Sequence, residues 1–127
     1  MPTNEVETVM TADESGAELV KFARQTADTL VKGSLTRSQI RTIFTEVRQI
    51  EAMWPGTEAM RRLTMLKPKL AYQAARAAPV GHLRDVLTDA IDAVVKASAD
   101  KRNERFDRFV DLFEAILAYH RALGGRS

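Results

Sequence analysis

The chain contains no cysteine, which removes disulfides, thiolate metal sites and cysteine nucleophiles and suits a reducing compartment, with the cytoplasm as the default expectation. No apolar run approaches the roughly 18 residues that a bilayer-spanning helix needs. Met1 to Met10 is polar and acidic where a signal peptide would be basic and then apolar. No membrane partner is expected. Histidine is scarce, with only His82 and His120, and no HExxH spacing, nucleophile elbow, Walker loop or dinucleotide fingerprint accompanies them. No metal or other cofactor is implied, and an enzyme reading has no residues to rest on.

A second absence is local. Between Ala59 and Arg84 there is no acid, while Arg61, Arg62, Lys67, Lys69, Arg76 and Arg84 supply six bases. Residues 1 to 31 carry net −4, residues 32 to 84 net +7 and residues 85 to 127 net −1, so the overall +2 hides a strongly basic middle. Such a stretch suits a polyanion or an acidic partner surface.

What is present is helical periodicity. No segment alternates with period two for long enough to make a strand, and 127 residues fit one domain. The expected fold is all-α, a compact bundle of about five amphipathic helices filling residues 11 to 127. Residues 1 to 10, which lack periodicity, are expected as a flexible arm. Thr11 with Glu14 reads as a capping box for a helix over about Ala12 to Lys32, and Thr36 with Gln39 as another for about Arg37 to Met53. Pro55-Gly56 ends that second helix. Thr57 is expected to cap a third, with the face Met60, Leu63, Leu66, Leu70, Ala74 and Ala77 and an internal Pro68 expected to kink or restart it. Ala78 to Gly81 reads as a turn. Leu83, Val86, Leu87, Ala90, Ile91 and Val94 mark a fourth helix. After a short polar tract from Ala97 to Asn103, Phe106, Phe109, Val110, Phe113, Ile116 and Leu117 mark a fifth, stopped at Gly124-Gly125.

Helical geometry sorts the charges. Arg62, Lys69, Gln73 and Arg76 fall in one narrow arc of the third helix, and Arg37, Arg41 and Arg48 share a flank of the second. Guanidinium and ammonium groups so arranged fit phosphate oxygens without reading sequence. An ordinary solvated face is the competing interpretation, and composition alone favours it. Asp85, Asp89 and Asp92 lie opposite the apolar face of the fourth helix, with Lys96 near them. They read as a solvated or partner-facing acidic ridge rather than a metal site. Trp54 lies on a core stripe, Tyr72 is a weak candidate for stacking on bases, and His120 is expected as a packed imidazole.

Three motifs in order carry a family resemblance. They are Ser34-Leu35-Thr36-Arg37-Ser38-Gln39-Ile40-Arg41 leading into Glu46-Val47-Arg48, then Leu66-Lys67-Pro68-Lys69-Leu70-Ala71-Tyr72, then Phe109 to His120 with Gly124-Gly125. Together they resemble the small subunit of type III-A CRISPR effector complexes, subunit two of the Csm complex. The resemblance implies a non-catalytic, RNA-binding helical subunit that lines up in several copies as the inner filament of an antiviral ribonucleoprotein. It would lie along the guide–target duplex, opposite the backbone subunits that hold the guide and cut target RNA. The partners implied are guide or target RNA, other Csm subunits and further copies of the chain. Arg37, Arg41, Arg48, Lys67 and Lys69 are the RNA-binding positions carried over from the motifs. Arg62 and Arg76 join them from helix geometry, and Asp85, Asp89 and Asp92 are expected in contacts between copies. An adaptor whose basic face meets an acidic protein is the alternative. A small hydrolase acting through His82 or His120 is the third reading.

Overall fold

The structure, a computed structural model, describes residues 2–126 and the side chains of residues 5–126. Met1 and Ser127, the outer ends of the expected arm and domain, lie outside the described residues. Six α-helices follow one another: α1 Pro2–Thr11, α2 Ala17–Lys32, α3 Arg37–Met53, α4 Thr57–Arg76, α5 Gly81–Val95 and α6 Ala99–Ala122. A 3₁₀ turn, Ala78–Val80, joins α4 to α5. About 84% of the chain is helical, with no strand among the described residues, so the fold class is as expected and the helix count is six rather than five.

The additional helix comes from the stretch expected as an arm. Val6, Val9 and Met10 stand at spacings of three and four, and all three are buried where α1 packs on α5. A ten-residue helix with three such positions is too short for periodicity to stand out in a window of 11 to 18 residues. Its packing, rather than its propensity, accounts for its order.

Asp13 changes how α2 begins. Thr11 does not cap it, because its Oγ1 donates to the Glu7 carbonyl at 2.7 Å inside α1. The Asp13 carboxylate instead accepts from the backbone N–H groups of Glu18 at 3.2 Å and Leu19 at 2.8 Å. An ionised acceptor next to two unpaired donors at a positive helix end outcompetes a hydroxyl. The helix therefore starts at Ala17, after Gly16 in the left-handed region at φ 85°.

The Thr36–Gln39 capping box forms as expected. Gln39 N–H donates to Thr36 Oγ1 at 3.1 Å, and Thr36 N–H to Gln39 Oε1 at 2.8 Å. It fixes where α3 starts and so which α3 side chains face outward. Ile40, Ile43, Phe44, Val47 and Ile50 are buried.

α4 runs through Pro68 without restarting, with Ala59, Leu63, Leu66 and Leu70 in the core. Its flanking residue is Gly56 rather than Thr57, which is already helical. α6 begins at Ala99, four residues before the polar tract was expected to end. The Trp54 ring stacks on Phe106 at 3.9 Å between centroids, and its Nε1 donates to Asn103 Oδ1 at 2.9 Å. That bond ties the polar tract to the C-terminal end of α3. Phe109, Leu112, Phe113 and Ile116 carry α6 through the centre of the core.

Candidate nucleic-acid interface

α3 and α6 run side by side and leave a groove of about 540 Å³ between them. From α3 it is lined by Arg37, Ile40, Arg41, Phe44 and Arg48, which recur at i, i+3, i+4, i+7 and i+11. From α6 it is lined chiefly by Glu114, Leu117, Ala118 and Arg121, with the same period. Each set is one stripe of its helix. The groove has an apolar floor and a rim of four arginines.

Residues 120 to 126 are tied to the start of α3. The Nε2 atom of buried His120 lies 2.8 Å from the Leu35 carbonyl, just ahead of α3. Gly125 N–H donates to the His120 carbonyl at 2.8 Å, and Arg37 N–H donates to the Arg126 carbonyl at 2.7 Å. One of the unpaired donors of the first α3 turn is thereby satisfied by the last described residue of the chain. A Cβ at Gly125 would collide with the His120 ring, so only glycine lets the tail pass there.

The rim arginines differ in their partners. Arg48 donates to Glu51 and to Glu114, each at 2.7 Å, and its guanidinium lies 4.8 Å from the Phe44 centroid. Its hydrogen bond to Glu51, with the neighbouring Glu114 charge, holds it above the usual arginine range. Arg37, Arg41 and Arg121 have no carboxylate partner among the described residues. Arg37 is half-buried, and its Nε is buried without a hydrogen-bond partner. Three unbalanced cations thus line the groove toward the N-terminal end of α3.

The α4 cations are placed differently. Arg62 donates to Glu46 and Gln49, each at 2.8 Å, and Lys69 lies 3.2 Å from the same Glu46. Burial pushes the Glu46 carboxyl up, but the hydrogen bonds from Arg62 and Lys69 outweigh it and hold the group below the usual carboxylate value. Lys67 pairs with Asp92 at 2.6 Å across α4 and α5. Three of the α4 cations, Arg62, Lys67 and Lys69, are therefore engaged by acids within the chain, Arg62 and Lys69 sharing Glu46. Arg76 is exposed, with its guanidinium 5.7 Å from the ring of exposed Tyr72.

The three aspartates of α5 do not form one free ridge. Asp92 is engaged by Lys67, and Asp85 accepts from Arg84 at 3.0 Å. Asp89 is half-buried and lines a groove with Glu7, Thr11, Lys96 and Arg105. Burial, then the charges of Asp92 and Asp85, push its carboxyl above the usual aspartate range despite Lys96. His82 is exposed at the start of α5, far in kind from the packed His120. No group of three or more histidines and carboxylates that could hold a metal occurs among the described residues. No helix among them is long and apolar enough to cross a membrane.

A family model of Csm2 Type III-A matches residues 13–126. The chain belongs to that family. The Csm2 family is that of the small subunit of type III-A CRISPR Csm complexes, so other Csm subunits are its partners. No curated protein and no solved structure matches the chain. The Csm2 match begins at Asp13, the α2 cap, and leaves α1 outside it. It includes both walls of the arginine groove. Sequence reasoning placed Arg37, Arg41 and Arg48 together but missed Arg121, which sits on α6 one turn beyond Leu117. Periodicity within α6 marks Arg121 as outward-facing, yet nothing in it says that α3 lies alongside.

Proposed function

We propose that this chain is a non-catalytic subunit of a type III-A Csm ribonucleoprotein and contacts RNA phosphates through the arginine rim of the α3/α6 groove. The observation that carries this reading is the set of Arg37, Arg41 and Arg121, three cations without acid partners on one face of a Csm2-family chain. Unbalanced arginines gain most by releasing counterions from a polyanion, and their forked donors match phosphate oxygens. Arg48 extends the rim, while Arg76 with Tyr72 offers a second, separate contact. Arg62, Lys67 and Lys69 would have to exchange an internal carboxylate for a phosphate, which lowers what each adds to affinity.

Several copies lying along a guide–target duplex remain part of the proposal, with Asp85 the most exposed of the acids for contact between copies. The chemistry of target cleavage is assigned to neighbouring subunits, because His120 is occupied in packing and His82 stands without a catalytic companion. The alternative of an adaptor for an acidic protein uses the same arginines.

Reconstitution decides between them. A Csm complex carrying Arg41→Glu with Arg121→Glu is expected to assemble with normal stoichiometry and to lose at least tenfold in target-RNA affinity. Failure to assemble with RNA affinity retained by the isolated chain would favour the adaptor.

A further inference from the structure

The groove is a poor track for a phosphate chain along its whole length. Arg37 and Arg48 are eleven residues apart on α3, so its ends lie roughly 16 Å from each other at 1.5 Å per residue. Cations without partners occupy only the Arg37 end. At the far end Arg48 is neutralised by Glu51 and Glu114, and a phosphate there would meet two carboxylates. Between the ends lie Ile40, Phe44 and Leu117. The groove is thus polarised, anion-seeking at one end and apolar beyond it. Its volume falls within the roughly 300–1,000 Å³ of small-molecule sites.

We propose that the α3/α6 groove holds one unpaired nucleotide of RNA, its base lying on the apolar floor and its flanking phosphates on Arg37, Arg41 and Arg121. This rests on the RNA-binding reading above and adds to it a preference for single strands. A duplex keeps its bases stacked and can offer the rim only phosphates, whereas an unpaired base can turn into the floor. Charge complementarity argues for phosphate over a peptide carboxylate. Three guanidiniums from two helices approach the anion from different sides, and a phosphate has acceptor oxygens facing several directions where a carboxylate offers two in one plane.

The test uses the full chain and three RNAs of equal length: a mixed-sequence single strand, the same strand with a run of abasic sites, and a duplex. Abasic sites keep every phosphate and remove only the bases. The wild-type chain is expected to bind the abasic strand at least about fivefold more weakly than the intact one, the lower bound for stacking of one base, with an unchanged salt slope. Ala118 is exposed on α6 and lines the groove, so Ala118→Leu narrows the floor without touching a cation or the core. That variant, and as a second Ala122→Leu at another exposed lining position, should melt as the wild type does and bind intact and abasic strands equally. Equal wild-type affinity for intact and abasic strands, with salt-dependent binding to both, overturns the nucleotide site and leaves the RNA reading standing. No salt-dependent binding to any RNA overturns both. Tighter binding of polyglutamate than of RNA overturns the nucleotide site in favour of an acidic peptide.

Discussion

Gly125 and Gly81 show how differently two glycines of one chain are constrained. A methyl group at Gly125 meets the His120 ring that anchors the tail to Leu35, whereas a methyl group at Gly81 meets nothing within 4 Å. Gly125→Ala is therefore expected to destabilise by about 1–3 kcal/mol, the usual cost of overpacking. Gly81→Ala, at a helical φ of −54°, should stabilise by about 0.4–1 kcal/mol through the unfolded state. Paired thermal melts check both. Asp89 gives a pH-dependent case. Its carboxyl is raised in the fold by burial and by Asp92 and Asp85, so the contribution of this group to stability is full below the ordinary aspartate value of about 3.9 and is lost as pH rises through the raised value. Asp89→Asn should raise the melting temperature at pH 7, and that gain should vanish near pH 3. A variant that is more stable yet fails to enter the complex would place Asp89 in a contact between copies.

At the scale of elements, α3 was legible from its caps and α1 was not. The Thr36–Gln39 box joins residues three apart, so a local sequence pattern suffices to find it. The Asp13 cap depends on the chain turning at Gly16 to bring Glu18 and Leu19 back to the carboxylate, a geometry that spacing rules for capping boxes do not describe. α1 shows itself only through the partner surface of α5 that covers Val6, Val9 and Met10. α4 carries the clearest prediction. Pro68 is exposed within an unbroken helix and removes one backbone donor there. Pro68→Ala should raise stability by up to about 3 kcal/mol in chemical denaturation. If α4 has no part in the RNA surface beyond Arg76, RNA affinity should stay unchanged in that variant.

Across the whole molecule, the basic middle of the sequence divides into two chemically distinct halves. Counting charges along the chain merged them, because Glu46 lies some twenty residues before Lys69, and Asp92 lies twenty-five after Lys67. Ion pairs at such separations are made by α4 packing between α3 and α5, and no local pattern announces them. Arg121 was hidden for the same reason, being brought to the arginine rim only when α6 returns beside α3. The all-helical class, the core stripes and the α3 flank were visible in periodicity, and the partner of each cation was not. Free arginines of the α3/α6 groove, rather than paired cations of α4, are proposed to meet the RNA. The most direct measurement is the slope of log affinity against log salt for single-stranded RNA, compared among the wild type, Arg37→Ala, Arg41→Ala, Arg121→Ala, Lys67→Ala and Lys69→Ala. Each arginine change is expected to flatten the slope by about 0.7, while each lysine change leaves it within error of the wild type. A slope lost with the lysines and kept with the arginines would contradict it, as would a wild-type chain whose RNA affinity does not depend on salt.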